Sequence, residues 1–374
     1  MNIPFNKPDI RQEEIESVVE VLKSGWLIQG KYSAQFEEEF CKFAACRHAA
    51  LVSTCTAGLH LSLMAMDVRA GDEIIVPAQT HAATAHVVEL MGATPVFVDV
   101  DKHTANTTAD RISAAITKKT RGVMVVHMSG IACEMDDIMS VAESKRLFVI
   151  EDCAHALGTF YKGKHAGNFG VSGCFSFYPT KHITTGEGGM AITNDEKVFS
   201  AIKITRAFGI DTPPELRAKP GVYDVRKLGN NYRLTDFQAA FGLHQLRRFQ
   251  TGNLAHRKRI ARKYIGLLDA CRDEVAFNEF MEDCSYFFFP IYIKNKDRDQ
   301  IMLFLKEKGV GVTVHYATPV PLMSYYRNKY NLKEGMFPNA EYVARKQISL
   351  PMQPTLQDNE IEYIVAMLKE KIYG

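Results

Sequence analysis

Lys181 is the residue whose type and setting point most directly to chemistry. It lies in the segment FYPTKHITTG, residues 177–186, between an apolar run typical of a β-strand and a turn rich in threonine and glycine. A lysine amine held in a cleft at such a point can form a Schiff base with a carbonyl compound. Because a lysine after a Pro-Thr pair is also common in exposed loops, the remaining sequence has to decide between the two interpretations.

A second candidate feature is the run STCTAGLHL, residues 53–61, which ends a predicted strand and opens a predicted helix. The backbone N–H groups near Thr56, Ala57 and Gly58 would then point out of a helix N-terminus, which favours a single bound phosphate. The pattern also fits an ordinary turn between a strand and a helix. The run has neither a GxGxxG fingerprint nor a Walker lysine, so it does not predict a dinucleotide site or a nucleotide-hydrolysing loop.

A third candidate is Asp152, which directly follows an apolar run in FVIEDCAHALG, residues 148–158. An acid at that point either caps the next helix or forms an ion pair with a cationic group in a cleft. A phosphate site, a carboxylate and a lysine on neighbouring strand ends are together what pyridoxal phosphate needs: a cradle for its phosphate, a partner for its ring nitrogen and a Schiff-base amine.

These residues require a scaffold that brings distant strand ends together. Such a scaffold is predicted by seven short β-type runs that alternate with helical patterns, at residues 49–53, 73–76, 95–98, 122–127, 147–150, 174–178 and 190–193. The alternation predicts an α/β fold with a mostly parallel sheet covered by helices. Ligands of an open parallel sheet bind beyond the carboxyl ends of its strands, where His127, Asp152 and Ser176 all fall.

The rest of the chain predicts a helix and then a second unit. Thr235 and Gln238 have the spacing of a capping box and would start a helix that runs to about residue 249. After about residue 275 we expect a strand at 286–293, a helix at 297–308, a strand at 311–316 and a last helix at 359–371. The prediction is therefore a large α/β domain with an N-terminal arm over residues 1–250, and a smaller α+β domain over residues 251–374.

The composition argues against several classes of partner. The 374 residues are 46% hydrophobic and 24% charged, as in ordinary globular proteins, and the net charge of +2 gives no reason to expect nucleic acid or an anionic membrane. No apolar run approaches the roughly 18 residues that cross a bilayer, and the N-terminus lacks a signal-peptide pattern, so we expect a cytoplasmic protein. The eight cysteines include no CxxC pair, which favours free thiols over a metal site.

Over nearly its whole length the chain resembles the DegT/DnrJ family of nucleotide-sugar aminotransferases, which are pyridoxal-phosphate enzymes of fold type I. The matching segments are SGWLIQG (24–30), STCTAGLHL (53–61), GDEIIVPAQTHAATA (71–85), GATPVFVDVD (92–101), IEDCAHALG (150–158), FSFYPTKHITTGEGGMAITND (175–195), GNNYRLTDFQAA (229–240), VHY (314–316) and SLPMQP (349–354). The resemblance implies a mostly parallel seven-stranded sheet with helices on both faces, and pyridoxal 5'-phosphate as the cofactor, with pyridoxamine phosphate as its intermediate form.

The resemblance also implies roles for residues of the predicted cleft. Lys181 matches the lysine that forms the Schiff base with the cofactor, and Asp152 matches the partner of the pyridine nitrogen. Ser176, together with Thr56 and Ala57, resembles the cradle of the cofactor phosphate.

Three further cofactor contacts are implied in the same way. His81 falls where the family usually stacks an aromatic ring over the cofactor, and His155 occupies a position near the cofactor ring that is often glutamine. Asn231, in GNNYR, matches an asparagine that reaches the cofactor phosphate of the neighbouring subunit. A homodimer with shared active sites is therefore expected.

Five residues are candidates for binding the sugar nucleotide, on the resemblance and on their chemical type: Trp26, Glu187, Arg233, His315 and Tyr316. For Trp26, packing against other residues is an alternative role. For His315, a hydrogen-bonded interior histidine is the alternative.

The reaction implied by the resemblance is transamination. L-Glutamate would donate the amino group and leave as 2-oxoglutarate, and a nucleotide-linked keto-deoxyhexose, most often a 4-keto-6-deoxy sugar, would accept it. The amino sugar would serve surface polysaccharide, lipopolysaccharide or O-antigen. A 3-keto sugar aminotransferase, a sugar dehydratase on the same fold and a non-catalytic regulatory homologue are the alternatives, although the dehydratases have histidine where this chain has Lys181.

Overall fold

The computed structural model describes residues 1–210, 219 and 221–374. Its α-helices are α1 Gln12–Ser24, α2 Lys31–Ala44, α3 Cys55–Ala65, α4 Ala82–Leu90, α5 Ala109–Ala114, α6 Met135–Ser144, α7 Glu196–Thr205, α8 Asp236–Arg248, α9 Leu254–Leu268, α10 Arg298–Glu307, α11 Ser324–Tyr330, α12 Pro338–Lys346 and α13 Asp358–Tyr373. Its strands are β1 His48–Val52, β2 Glu73–Pro77, β3 Thr94–Val98, β4 Thr120–Val126, β5 Phe148–Asp152, β6 Phe160–Tyr161, β7 Lys164–His165, β8 Ser172–Ser176, β9 Gly189–Thr193, β10 Val275–Ala276, β11 Phe289–Ile293 and β12 Gln347–Leu350.

Seven strands form one central sheet in the order β1-β9-β8-β5-β4-β2-β3. Neighbouring strands are parallel except for β9, which runs antiparallel to both β1 and β8. All seven strands predicted from the sequence are present, so the predicted fold class is confirmed.

Helices cover both faces of this sheet because alternate strand residues point to opposite sides. Ala50, Val52 and Ile74 pack with α3, α4 and α7 on one face. On the other face, Leu51 packs with α2 and α8, and Ile75 packs with α5 and α6. Burial on both faces explains why the strands read as nearly continuous apolar runs in the sequence.

The strand register brings the carboxyl ends of the central strands together. Val126 at the end of β4 pairs with Asp152, and Asp152 pairs with Cys174 of β8. The antiparallel strand β9 begins at the same edge, where Gly189 lies opposite Ser176. The polar residues that follow these strands therefore share one edge of the sheet, as expected for a ligand site of a parallel sheet.

A second, antiparallel sheet of β10, β11 and β12 packs with α9, α10 and α13. The predicted helices at 297–308 and 359–371 correspond to α10 and α13, but the predicted strand at 311–316 is wrong. Gly311 N–H donates to Ile3 O, and Thr313 exchanges backbone hydrogen bonds with Ser349. Because the segment divides its hydrogen bonds between two separate partners, only single bridges form there, and β12 is the third strand instead.

The predicted domain boundary at residue 250 falls within a π-helical turn, Phe249–Asn253, that joins α8 directly to α9. The division into two domains therefore stays a prediction. Among the helices that the structure describes, none combines the length and the apolar composition needed to span a bilayer.

Candidate active site

A cavity of about 530 Å³ opens at the carboxyl edge of the central sheet. Its walls come from the segments that follow β1, β2, β5 and β8, together with residues 315–316 near the second sheet. Nine of the residues predicted from the sequence line it: Thr56, His81, Asp152, His155, Ser176, Lys181, Glu187, His315 and Tyr316.

Lys181 lies in the turn after β8, where its N–H donates to Tyr178 O at 2.9 Å. The side-chain Nζ projects into the cavity and lies 4.3 Å from the centre of the Phe287 ring. Burial disfavours the ammonium form and lowers the pKa of Lys181 to about 8, although the Asp152 carboxylate acts in the opposite direction. About a tenth of the amine is therefore neutral, and able to attack a carbonyl, at pH 7.

Asp152 is the last residue of β5 and is buried. Its Oδ2 accepts a hydrogen bond from Thr84 Oγ1 at 2.8 Å, and its Oδ1 accepts from Ala154 N–H at 3.1 Å. Thr80 Oγ1 lies 2.8 Å from Thr84 Oγ1 and extends this network. Contacts to both oxygens fix the plane of the carboxylate at the floor of the cavity.

The N-terminus of α3 and the end of β8 form the polar end of the cavity. Thr54 is the N-cap of α3, and its Oγ1 accepts from Ala57 N–H at 3.0 Å, so that this N–H is already engaged. Ala57 does not line the cavity, whereas Thr54, Thr56 and Ser176 do. A helix N-terminus beside the Ser176 hydroxyl is a favourable setting for an anion.

His155 offers a hydrogen-bonding position that the chain itself leaves open. Its Nε2 lies 3.3 Å from the Tyr316 hydroxyl, while its buried Nδ1 has no hydrogen-bond partner among the described residues. Burial holds the pKa of His155 well below its usual range, so the ring is neutral. An unpaired buried polar atom is costly unless a ligand satisfies it. With the amine, the carboxylate and the anion site, this open position fits a bound pyridoxal phosphate.

His315 and Tyr316 line the cavity from outside the central sheet. His315 Nδ1 lies 2.8 Å from Ser349 Oγ, its ring stacks on Phe288 at 4.3 Å, and burial lowers its pKa to about 3. Tyr316 O accepts a hydrogen bond from Gln79 Nε2 at 2.9 Å. His315 is thus a neutral, hydrogen-bonded residue of the cavity wall, and its contact with a sugar nucleotide stays a prediction.

Other predicted site residues lie outside the cavity. Trp26 is 59% exposed, and its indole N–H donates to Gln29 O at 3.2 Å. Asn231 is exposed and accepts a hydrogen bond from Arg233 Nε at 3.0 Å. The Arg233 guanidinium lies 5.2 Å from the Phe208 ring. These three residues do not meet the cavity of their own chain.

His127 also lies away from the cavity, although it follows β4. It is fully buried, and its Nε2 lies 3.0 Å from Glu151 Oε2. Glu151 in turn accepts the backbone N–H groups of Gly167, Phe169 and Gly170. The expectation that His127 meets the other strand-end residues in one cleft is therefore wrong, because its ring points into the core and anchors a loop.

Two residues of the site were missed by the sequence reasoning. Thr84 lies in the first turn of α4, four residues after Thr80, and this spacing of two threonines beside a strand end was an available signal. Phe287 sits in an aromatic run next to β11, more than 100 residues from Lys181 along the chain. Nothing local distinguishes it from an ordinary core residue.

Comparison with known proteins assigns the family. The model of the DegT/DnrJ/EryC1/StrS aminotransferase family matches residues 8–369. The uncharacterised protein MJ1066 of Methanocaldococcus jannaschii is 38% identical, over 98% of this chain and 97% of that protein. The spore coat polysaccharide biosynthesis protein SpsC of Bacillus subtilis is 35% identical, over 100% of this chain and 97% of that protein.

A solved structure gives the same result. Spr1654 of Streptococcus pneumoniae, a protein assigned as a sugar aminotransferase, superposes in its PMP-form with a TM-score of 0.93 at 30% identity, covering 99% of this chain and 98% of that chain. Its PLP-form superposes with a TM-score of 0.92. The predicted cofactor is thereby confirmed at the level of the family. The chain belongs to the DegT/DnrJ/EryC1/StrS aminotransferase family, as its sequence predicted.

Proposed function

We propose that the protein is a pyridoxal-phosphate-dependent aminotransferase that moves the amino group of L-glutamate to a 4-keto-6-deoxyhexose linked to a nucleoside diphosphate. The observation that carries the proposal is the pairing of Lys181 with Asp152 in one cavity, where burial lowers the pKa of the lysine to about 8. A sugar substrate is supported by family membership and by the polysaccharide role in the name of SpsC.

Pyridoxal phosphate, when bound, supplies an electron sink for the substrate carbon that exchanges its amino group. Asp152 would hold a proton on the ring nitrogen, because its two oxygens are fixed by Thr84 and Ala154 at the cavity floor. Lys181 would carry the proton at the reacting carbon, since an amine with a pKa of about 8 both accepts and releases a proton near neutral pH.

The other lining residues would bind and orient. Ser176 and the N-terminus of α3 at Thr56 would hold the phosphate, with Ala57 contributing once its N–H leaves Thr54. His81 would cover the cofactor ring, and His155 would direct its open Nδ1 towards the ring substituents.

The substrate side is lined by residues that can recognise a sugar. Glu187 lines the cavity, is exposed and can accept hydrogen bonds from hydroxyl groups, and the rings of His315 and Tyr316 would offer faces for packing. We propose that the amino sugar product is used for surface polysaccharide, because the relative SpsC is named as a spore coat polysaccharide biosynthesis protein.

A homodimer with shared active sites is part of the proposal. Asn231 and Arg233 lie outside their own cavity. Large apolar side chains are exposed in two segments, at Trp26 and Ile28 within SGWLIQG and at Leu228 next to GNNYR. A second copy that covers these side chains would bring Asn231 to the cofactor phosphate of its neighbour. Trp26 and Arg233 would then approach the sugar nucleotide.

The proposal is tested by the absorption spectrum of the purified protein with pyridoxal phosphate. L-Glutamate should bleach the Schiff-base band, and a 4-keto-6-deoxy sugar nucleotide should restore it while the sugar gains nitrogen in place of oxygen, as read by mass spectrometry. A 3-keto isomer serves as the matched acceptor control. Loss of water without gain of nitrogen would indicate a dehydratase, and a spectrum unchanged by glutamate would contradict the proposal.

A further inference from the structure

The contact between the Lys181 amine and the face of Phe287 has a chemical consequence. Nζ lies 4.3 Å from the ring centre, which is within the range of a cation–π interaction. Such contacts are strongest where water is excluded, and Phe287 is buried. The ring attracts the ammonium form of lysine and gives no comparable attraction to the neutral amine.

Backbone hydrogen bonds and a stacked histidine fix the position of the Phe287 ring. Phe287 N–H donates to Ser129 O at 3.0 Å, and Arg257 Nη1 donates to the carbonyl oxygens of Tyr286 and Phe287, at 3.1 and 3.3 Å. His155 stacks on the ring at 4.3 Å, with 28° between the planes. A ring fixed in this way is a preformed surface for the amine.

Few groups near the Lys181 amine favour its ammonium form, so the contact with the Phe287 ring has a large share in that preference. The titratable groups that face Lys181 are the Asp152 carboxylate, the Cys55 thiol and the imidazoles of His81, His155, His182 and His315. Burial lowers the pKa of these four histidines and raises the pKa of Cys55, so these groups are neutral near pH 7. The carboxylate and the ring face are then the two features that favour the ammonium.

We infer that Phe287 is a positioning residue that holds the Lys181 ammonium over its ring face whenever the amine is not joined to the cofactor. This inference rests on the proposed function for its use in the reaction. An amine freed when the amino donor replaces it would otherwise swing into the open cavity. Held on the ring, it would keep one position in the cavity, from which it could move a proton and return.

The test measures the protonation of Lys181 directly in the protein without cofactor. Trace labelling with isotopic acetic anhydride across a pH series, followed by digestion and mass spectrometry, gives the pKa of this one amine, with exposed lysines as internal references. Phe287→Leu should shift its ammonium-to-amine ratio about tenfold towards the amine, because the ring face is lost. Phe288→Leu is the matched control, since the Phe288 ring stacks on His315 and should leave the Lys181 ratio unchanged.

A second series separates the ring face from packing. Fluorinated phenylalanines placed at position 287 keep the shape of the ring and weaken its negative face step by step, so the pKa of Lys181 should fall with each fluorine. An unchanged pKa across this series, or an equal shift in Phe288→Leu, overturns the inference. If borohydride fails to join pyridoxal phosphate to wild-type Lys181 while the labelling still responds, the proposed function fails and the ring contact stands.

Discussion

Burial and one carboxylate oppose each other at the Lys181 amine. Burial lowers its pKa to about 8, and Asp152 limits the fall. Since the neutral amine is the nucleophile, capture of pyridoxal phosphate by the cofactor-free protein should speed up about tenfold per pH unit below about pH 8 and level off above it. Stopped-flow measurement of the Schiff-base band across pH checks this, and a rate that keeps rising to about pH 10 would contradict the assigned burial.

Two variants test the Asp152 carboxylate to different degrees, one by removing its charge and one by removing its hydrogen bond from Thr84. Asp152→Asn keeps the shape of the side chain but removes the charge, so cofactor capture should survive while bleaching by glutamate slows by at least about 100-fold. Thr84→Val removes one hydrogen bond to the charged group and should slow the same step by about tenfold. Single-turnover spectra with glutamate measure both rates. Equal rates in wild type and Asp152→Asn would remove Asp152 from the mechanism.

Lys181 and Asp152 could be found from the sequence because each follows an apolar run at a predicted strand end. Phe287 could not, since an aromatic residue beside β11 packs in many folds and only the tertiary structure brings it to Lys181. His127 was predicted to lie in the cleft but does not. The same strand-end pattern placed it in the cleft, but its side chain points inward to Glu151.

At the scale of elements, the approach of β9 to the start of α3 shapes the anion end of the cavity. A side-chain carbon at Gly189 would lie 2.6 Å from both Cys55 N and Thr54 C, and 2.7 Å from Phe175 O. Gly189→Ala should therefore push α3 away, weaken cofactor binding and lower stability by about 1–3 kcal/mol.

Gly266 provides the matched control for this substitution. It lies within α9, where an added side-chain carbon would meet nothing within 4 Å. Gly266→Ala should raise stability by about 0.5–1 kcal/mol, because alanine favours the helix. Thermal unfolding of both variants, with and without pyridoxal phosphate, measures these effects. If Gly189→Ala melts at the wild-type temperature and binds the cofactor normally, the close approach does not control the site.

The strands of the central sheet could be predicted from their apolar runs, and the irregular segment at residues 311–316 could not. Most strands of the central sheet are buried on both faces and therefore produce clear apolar runs, while the edge strand β3 is partly buried. Residues 311–316 carry a similar pattern, but their backbone bonds go to Ile3 and Ser349 in turn. Which partner satisfies a backbone group is decided by the tertiary fold, which one short pattern cannot reveal.

At the scale of the whole molecule, the proposed homodimer makes a quantitative prediction. If Asn231 serves the neighbouring site, a hybrid of a Lys181→Ala subunit and an Asn231→Ala subunit has one site with both native residues. A re-equilibrated equal mixture of the two inactive variants should then regain about a quarter of the wild-type activity, because half of the dimers are hybrids with one such site.

The control for the mixing experiment is a pair of variants whose altered residues belong to the same subunit's cavity, so that a hybrid dimer has no intact site. A mixture of Lys181→Ala with Asp152→Asn should stay inactive, since both residues line the cavity of the same chain. Light scattering during chromatography gives the mass of each species. Recovery no greater than the mean of the separate variants would show that Asn231 acts within its own subunit or in no site.

The attachment of pyridoxal phosphate to Lys181 underlies every proposed step of the reaction. Reduction of the protein with borohydride in the presence of pyridoxal phosphate, followed by digestion and mass spectrometry, locates the modified amine. We expect the cofactor on the peptide that contains Lys181, and no specific modification in Lys181→Ala. Attachment to other lysines alone, or none in the folded wild-type protein, would contradict it.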